Sequence, residues 1–153
     1  MEKSAFYQDL NKQVAAVITG ESDLIANMAN VSAILFEALE YVNWAGFYRV
    51  DGEQLVLGPF QGKVACIRIP FGKGVCGTAA STGETQLVAD VHQFDGHIAC
   101  DAASNSEIVI PVRVGGQIVA VLDIDSVNYD RFDAQDQQGL ESIVALVEAQ
   151  TAQ

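Results

Sequence analysis

The sequence is short of positive charge. Of its 153 residues, eight are Lys or Arg and twenty are Asp or Glu, a formal net charge of −12. Binding along a nucleic-acid backbone needs clustered basic side chains, so that partner class is excluded. An anionic membrane surface is disfavoured for the same reason. Long apolar runs are missing too, and no stretch approaches the roughly 20 residues of a membrane span. The opening residues, Met1 to Leu10, carry no apolar core of signal-peptide length, so a cytoplasmic location is expected. Cysteine is sparse: Cys66, Cys76 and Cys100, an odd number with no C-x-x-C spacing. Such a set is no disulfide framework and leaves buried bystanders, metal ligands or reactive thiols.

Internal repeats, low-complexity tracts and linkers are also lacking. Half of the residues are hydrophobic and 18% are charged, which excludes a disordered chain. One domain spanning 1–153 is expected, and at this size about 70% of the unfolded surface is buried without a staple. Phe6, Leu10, Val14, Val17 and Ile18 recur at helical spacing until Gly20. Ser22 or Asp23 then caps a second helix carrying Leu24, Met28, Leu35 and Leu39.

Beyond residue 41 the pattern turns to strands. Val42 to Val50 is aromatic-rich, Asp51-Gly52 is a hairpin signal, and Gln54 to Phe60 returns. A strand is expected over Ala65 to Ile69, a short helix over Val75 to Ser81 and a short strand over Gln86 to Ala89. Asp90 to Ser104 is a long polar loop, a length that is usually functional. Strands Ile108 to Val114 and Gln117 to Ile124 flank Gly115-Gly116, and Phe132 to Gln150 closes as a helix. This order implies an α+β fold, with a largely antiparallel sheet covered by N-terminal and C-terminal helices.

Chemistry-bearing residues stand out against this frame. Cys100 lies in the polar loop near His97, where reactive groups are commonly displayed. Its plainer reading is an ordinary buried cysteine. Cys66 on a strand, or Cys76 at a helix start, could resolve an oxidised Cys100; each could equally be core packing. A zinc site of three cysteines with His92 or His97 is argued against by the wide spacings, so no metal is expected.

Strand periodicity places Val119, Val121, Asp123 and Asp125 on one face. Two acids ending an apolar strand either form a site with a raised pKa or mark emergence into solvent. A strict two-residue turn at Gly115-Gly116 pairs 107 with 124 and points Glu107 away from both; a three-residue loop or a bulge brings it to their side. Trp44 and Tyr48 alternate onto one face around Gly46, walling an apolar pocket or filling the core. Gly72-Lys73-Gly74-Val75-Cys76-Gly77 lacks the G-K-[ST] of a phosphate-binding loop. Ser104 and Ser106 have no nucleophile-elbow context.

Five stretches resemble one family. They are Asn43 to Tyr48, Gly58 to Lys63, Gly72 to Gly77, Gly96 to Glu107 and Leu122 to Ser126. Together they are similar to the free methionine-(R)-sulfoxide reductases, a stand-alone GAF-domain family, and the likeness runs from first helix to last. The resemblance implies that Cys100 attacks the sulfoxide sulfur, Cys66 resolves it and Cys76 is a third exchanging thiol. It implies that Glu107, Asp123 and Asp125 bind substrate and help protonate its oxygen, with Trp44 against the methyl group and Tyr48 a pocket neighbour. It further implies no cofactor, thioredoxin as reductant and a homodimer. The alternatives are a non-catalytic GAF ligand-binding module and a thiol redox sensor. A binding module usually sits beside an output domain, for which 153 residues leave no room, and a sensor has no need of the carboxylate trio.

Overall fold

The apolar spacing of residues 3–38 does produce two helices, α1 (Lys3–Ile18) and α2 (Leu24–Ala38). These are the first elements of a computed structural model describing residues 2–96 and 103–152. Tyr7, Leu10, Val14 and Ile18 make one buried stripe on α1. Asp23, one of two candidate caps, starts α2 by accepting a hydrogen bond from the Ala26 amide. Strands β1 (Val42–Asp51), β2 (Gln54–Gly62) and β3 (Arg68–Pro70) follow, then α3 (Gly74–Thr82) and β4 (Gln86–Val88). Strands β5 (Ser106–Val114) and β6 (Gln117–Ser126) precede α4 (Ala134–Thr151). The last helix starts two residues later than the apolar pattern suggests, because the Asp133 side chain caps it by accepting from the Gln135 and Asp136 amides.

The strands form one antiparallel sheet in the order β3-β2-β1-β6-β5-β4. The fold is thus α+β, as the element order predicts. One face packs against α1, α2 and α4 around Phe47, Ile108, Leu122, Ile124 and Leu140. The other face is covered by α3 and holds a smaller cluster including Trp44, Tyr48, Cys76, Val109 and Val121. Among the described residues, no helix is long and apolar enough to cross a membrane.

Two strand expectations need correction. Residues 65–67 are not strand, and β3 begins only at Arg68. Ala65 and Cys66 are both half-buried against the smaller cluster and Ile67 is 68% exposed, so this stretch lacks the alternation of a strand. Second, the β5–β6 hairpin keeps a two-residue turn, pairing Val114 with Gln117 and Arg113 with Ile118, but its register then shifts. Val112 pairs with Ala120, leaving Val119 as an extra residue packed against the larger core. Val119 therefore does not share a face with Val121, which lies in the smaller cluster.

Candidate active site

The bulge at Val119 decides the site. Past it Val109 pairs with Asp123 and Glu107 with Asp125, so Glu107 joins both aspartates on the α3 face. A regular hairpin would have sent Glu107 to the opposite side. Glu107 and Asp123 are only 7% and 5% exposed, and Asp125 is half-buried. The Glu107 carboxyl has hydrogen-bonding contact with both aspartates.

Burial, then the neighbouring Asp123 and Asp125, push Glu107 well above the usual carboxyl range. Water is displaced and three acids share a small volume, so the neutral form of Glu107 is favoured. Burial, then Asp123 and the other acids, likewise push the Cys76 thiol up. Cys76 is free and buried on α3, hydrogen-bonded to Asp123. It is therefore a protonated thiol rather than a ready nucleophile. The start of α3 does not offset the adjoining negative charge.

Aromatic rings border the acids. On β1, Trp44 pairs with Asp125 and Gly46 with Asp123. The Trp44 ring stacks on Tyr48 at 5.8 Å and on Phe60 at 5.1 Å. The space over Gly46 is thus not open: Phe60 fills it, and a Cβ at Gly46 would lie 2.7 Å from the Phe60 Cα. Phe60 is the site residue that residue-type reasoning missed. Its signal was the Gly46 gap between two aromatics, which needs a large occupant from the facing strand. Phe60 reaches it because β2 is irregular beside Gly58-Pro59: Gly46 pairs with Phe60 but Tyr48 with Leu57.

The polar tips of the same aromatics reach out to the segment bearing Cys66. Trp44 Nε1 donates to the Lys63 carbonyl at 3.1 Å, and the Tyr48 hydroxyl donates to the Cys66 carbonyl at 2.9 Å. Burial, and then the three acids with Cys76, hold the Tyr48 phenol well above its ordinary range, so it remains a donor. Cys66 is disulfide-bonded. Cys100 and His97 lie outside the described residues. His92 sits apart, its ring nitrogen 3.1 Å from Asn105 Oδ1.

Donor atoms of Cys76, Glu107 and Asp123 lie within 4.8 Å of one another, which is the metal-capable grouping among the described residues. It shares only Cys76 with the ligand set weighed from sequence. The same carboxylates suit an organic ammonium group, and one buried Asp123 oxygen, Oδ1, has no hydrogen-bond partner among the described residues. Together the parts are a carboxyl with a raised pKa, two neighbouring aspartates, an aromatic wall and a tethered cysteine segment.

A sheet of this order, with α3 on one face and the other helices on the opposite face, is consistent with the GAF class, and the chain matches the GAF domain family over residues 27–149. It is 57% identical over 148 residues to the free methionine-R-sulfoxide reductase of Escherichia coli, covering 97% of this chain and 90% of that one. The reduced-form structure of fRMsr from Staphylococcus aureus superposes with a TM-score of 0.93 at 54% identity, covering 95% of both chains. The free methionine-R-sulfoxide reductase of Neisseria meningitidis, solved with its substrate, gives 0.94 at 43% identity, covering 99% of this chain and 91% of that one. The chain belongs to the free methionine-R-sulfoxide reductases of the GAF-domain family and is an oxidoreductase.

Proposed function

We propose that this protein reduces free L-methionine-(R)-S-oxide to L-methionine, with Cys100 as nucleophile, Cys66 as resolving thiol and thioredoxin as reductant. The observation that carries the reading is the buried convergence of Glu107 with Asp123 and Asp125 beside Trp44. A sulfoxide oxygen leaves poorly until it is protonated, and a carboxyl with a raised pKa keeps its proton at neutral pH. Glu107 is that donor. Asp123 and Asp125 attract the ammonium of a free amino acid, which a methionine within a polypeptide lacks. Trp44, backed by Phe60, packs against the methyl group.

The Cys100 thiolate attacks sulfur as the oxygen accepts a proton. The transient bond between the two sulfurs then breaks with its electron pair going to methionine, while the protonated oxygen leaves the substrate sulfur for that of Cys100; the sulfoxide is reduced by two electrons to methionine and Cys100 is oxidised to a sulfenic acid. The Cys66 thiol condenses with it, releasing water and forming a disulfide that an external dithiol reduces. Cys76 is a third thiol in reserve. The reading takes residues 1–153 as one GAF domain: α1 precedes the matched region, yet Leu10 and Val14 share a core with Leu140 of α4. It places the protein in the cytoplasm, where such dithiols are kept reduced. It also includes a homodimer through the N-terminal helices, on which Val17 and Ile25 are exposed.

The deciding assay follows NADPH consumption with thioredoxin and its reductase. It offers free L-methionine-R-sulfoxide, the S epimer and a peptide-bound sulfoxide in parallel. Turnover of the free R epimer alone, lost in Cys100→Ser, is expected. Absence of turnover with all three, from protein shown to be reduced, refutes the reading and leaves a ligand-binding or redox-sensing domain.

A further inference from the structure

Charge is unevenly distributed along this chain. Residues 54–83 contain no Asp or Glu, although the chain has twenty, and they contain Lys63, Arg68 and Lys73. This stretch carries +3, so the rest of the molecule carries −15 of the total −12. It folds into β2, the connection through 63–67, β3 and α3. Val64 and Ile67 on that connection are the most exposed large hydrophobic side chains among the described residues. They flank Cys66, which is disulfide-bonded. Arg68 pairs with Asp51 at 2.9 Å, whereas Lys63 and Lys73 enter no ion pair among the described residues.

The connection is also held in place. Its carbonyls at Lys63 and Cys66 accept from Trp44 and Tyr48, and that of Ile67 accepts from the Leu57 amide at 2.8 Å. A fixed apolar lip with a basic rim is pre-organised for docking, since little entropy is lost when it is covered. On a molecule otherwise strongly negative, the rim also selects the partner. An acidic protein is repelled elsewhere and attracted here.

We propose that Val64 and Ile67, beside Lys63 and in the wider positive field to which Lys73 adds, form the docking surface for an acidic protein dithiol that reduces the disulfide of Cys66. The proposal rests on the thiol chemistry proposed above. In the exchange, a partner thiolate attacks Cys66 Sγ. The existing S–S bond breaks, and the other cysteine leaves with the electron pair and takes up a proton. The partner's second thiolate then attacks its own sulfur in the mixed disulfide and frees Cys66. Two electrons pass to this protein, whose disulfide becomes two thiols while the partner's dithiol becomes a disulfide.

The test uses the oxidised full chain without any sulfoxide, so it is independent of turnover. Reduced thioredoxin of net negative charge, or dithiothreitol, is added, and thiol release is followed by alkylation and mass. Val64→Asp and Ile67→Asp should each lower the second-order rate constant with thioredoxin about tenfold, leaving that with dithiothreitol within about twofold. Lys73→Glu, away from the lip, should lower the thioredoxin rate and weaken its salt dependence. Thioredoxin rates unchanged in all three variants would place docking elsewhere and overturn the proposal. Equal losses with thioredoxin and dithiothreitol would also overturn it, since the substitutions would then act on access to the disulfide and not on a protein partner.

Discussion

Glu107 is the residue on which the proposed chemistry turns, and its environment disfavours its charged form. Its folded pKa lies above the ordinary carboxyl value because burial and two aspartates disfavour the charged form. The folded state therefore holds this proton more tightly than the unfolded chain. Stability linked to it is complete below the ordinary carboxyl pKa and declines as pH rises through the raised one. Glu107→Gln should remove that decline. Urea unfolding at pH 5 and pH 9 should find the variant gaining on the native protein at the higher pH, by about 1 kcal/mol or more. The same substitution should lower kcat by about 10²- to 10⁴-fold, the range of a lost general acid. It should also abolish the alkaline fall of kcat/KM. A variant with native kcat would remove Glu107 from the proton-donor role. Asp123→Asn tests a different role, because a lost ammonium partner should raise KM more than it lowers kcat. A KM left unchanged in that variant would count against the ammonium site.

At the scale of elements, positions along strands were legible and the offsets between strands were not. Residue types and alternation placed Trp44 with Tyr48 and Asp123 with Asp125, because side-chain direction within one strand has period two. Glu107 could not be placed, because its side depends on a single extra residue, Val119, in the partner strand. Nothing in the local residue types distinguishes a regular hairpin from that bulge; the family resemblance implied only that the regular register fails. The aromatic wall failed for the same reason. Phe60 fills the gap over Gly46 only through a register shift in β2, so a single-strand reading leaves the gap open. This gives a test of the element. Gly46→Ala places a Cβ 2.7 Å from the Phe60 Cα and 2.9 Å from the Pro59 carbonyl oxygen. Backbone atoms cannot swing aside as a flexible side chain does, so β1 and β2 must separate. The expected loss is about 1–3 kcal/mol in thermal or urea unfolding, with KM raised as Trp44 loses its stacking partner. A variant of native stability and KM would show that the wall tolerates repacking.

At the scale of the whole molecule, the helices on the far face of the sheet set stability without touching the site. The helical spacing of residues 6–18 and the closing run near Leu140 showed that two helices exist. They did not show that α1 and α4 pack together, because apolar stripes do not name their partner and one end of this junction is fixed by a polar cluster. Asp136, 1% exposed at the start of α4, accepts from the Tyr7 hydroxyl at 2.7 Å and from Lys3 Nζ at 2.7 Å. It also accepts from the Asp133 amide at 2.9 Å, closing the capping box. Opposite it, Gly139 lies flat against the Tyr7 ring, where a Cβ would stand 2.5 Å from Cδ1. Burial, then the Asp136 carboxylate, push the Tyr7 phenol up, so it stays a donor across the working pH range. Tyr7→Phe keeps the ring packing and removes only that donor from a buried charge. The expected cost is about 1–3 kcal/mol, or a Tm lower by several degrees in a chain of this length. The candidate site lies on the other face of the sheet, so kcat and KM should stay at native values. A fall in kcat with unchanged Tm would instead mean that the α1–α4 junction communicates through the sheet to Glu107, and the division between a stabilising face and a catalytic face would have to be abandoned.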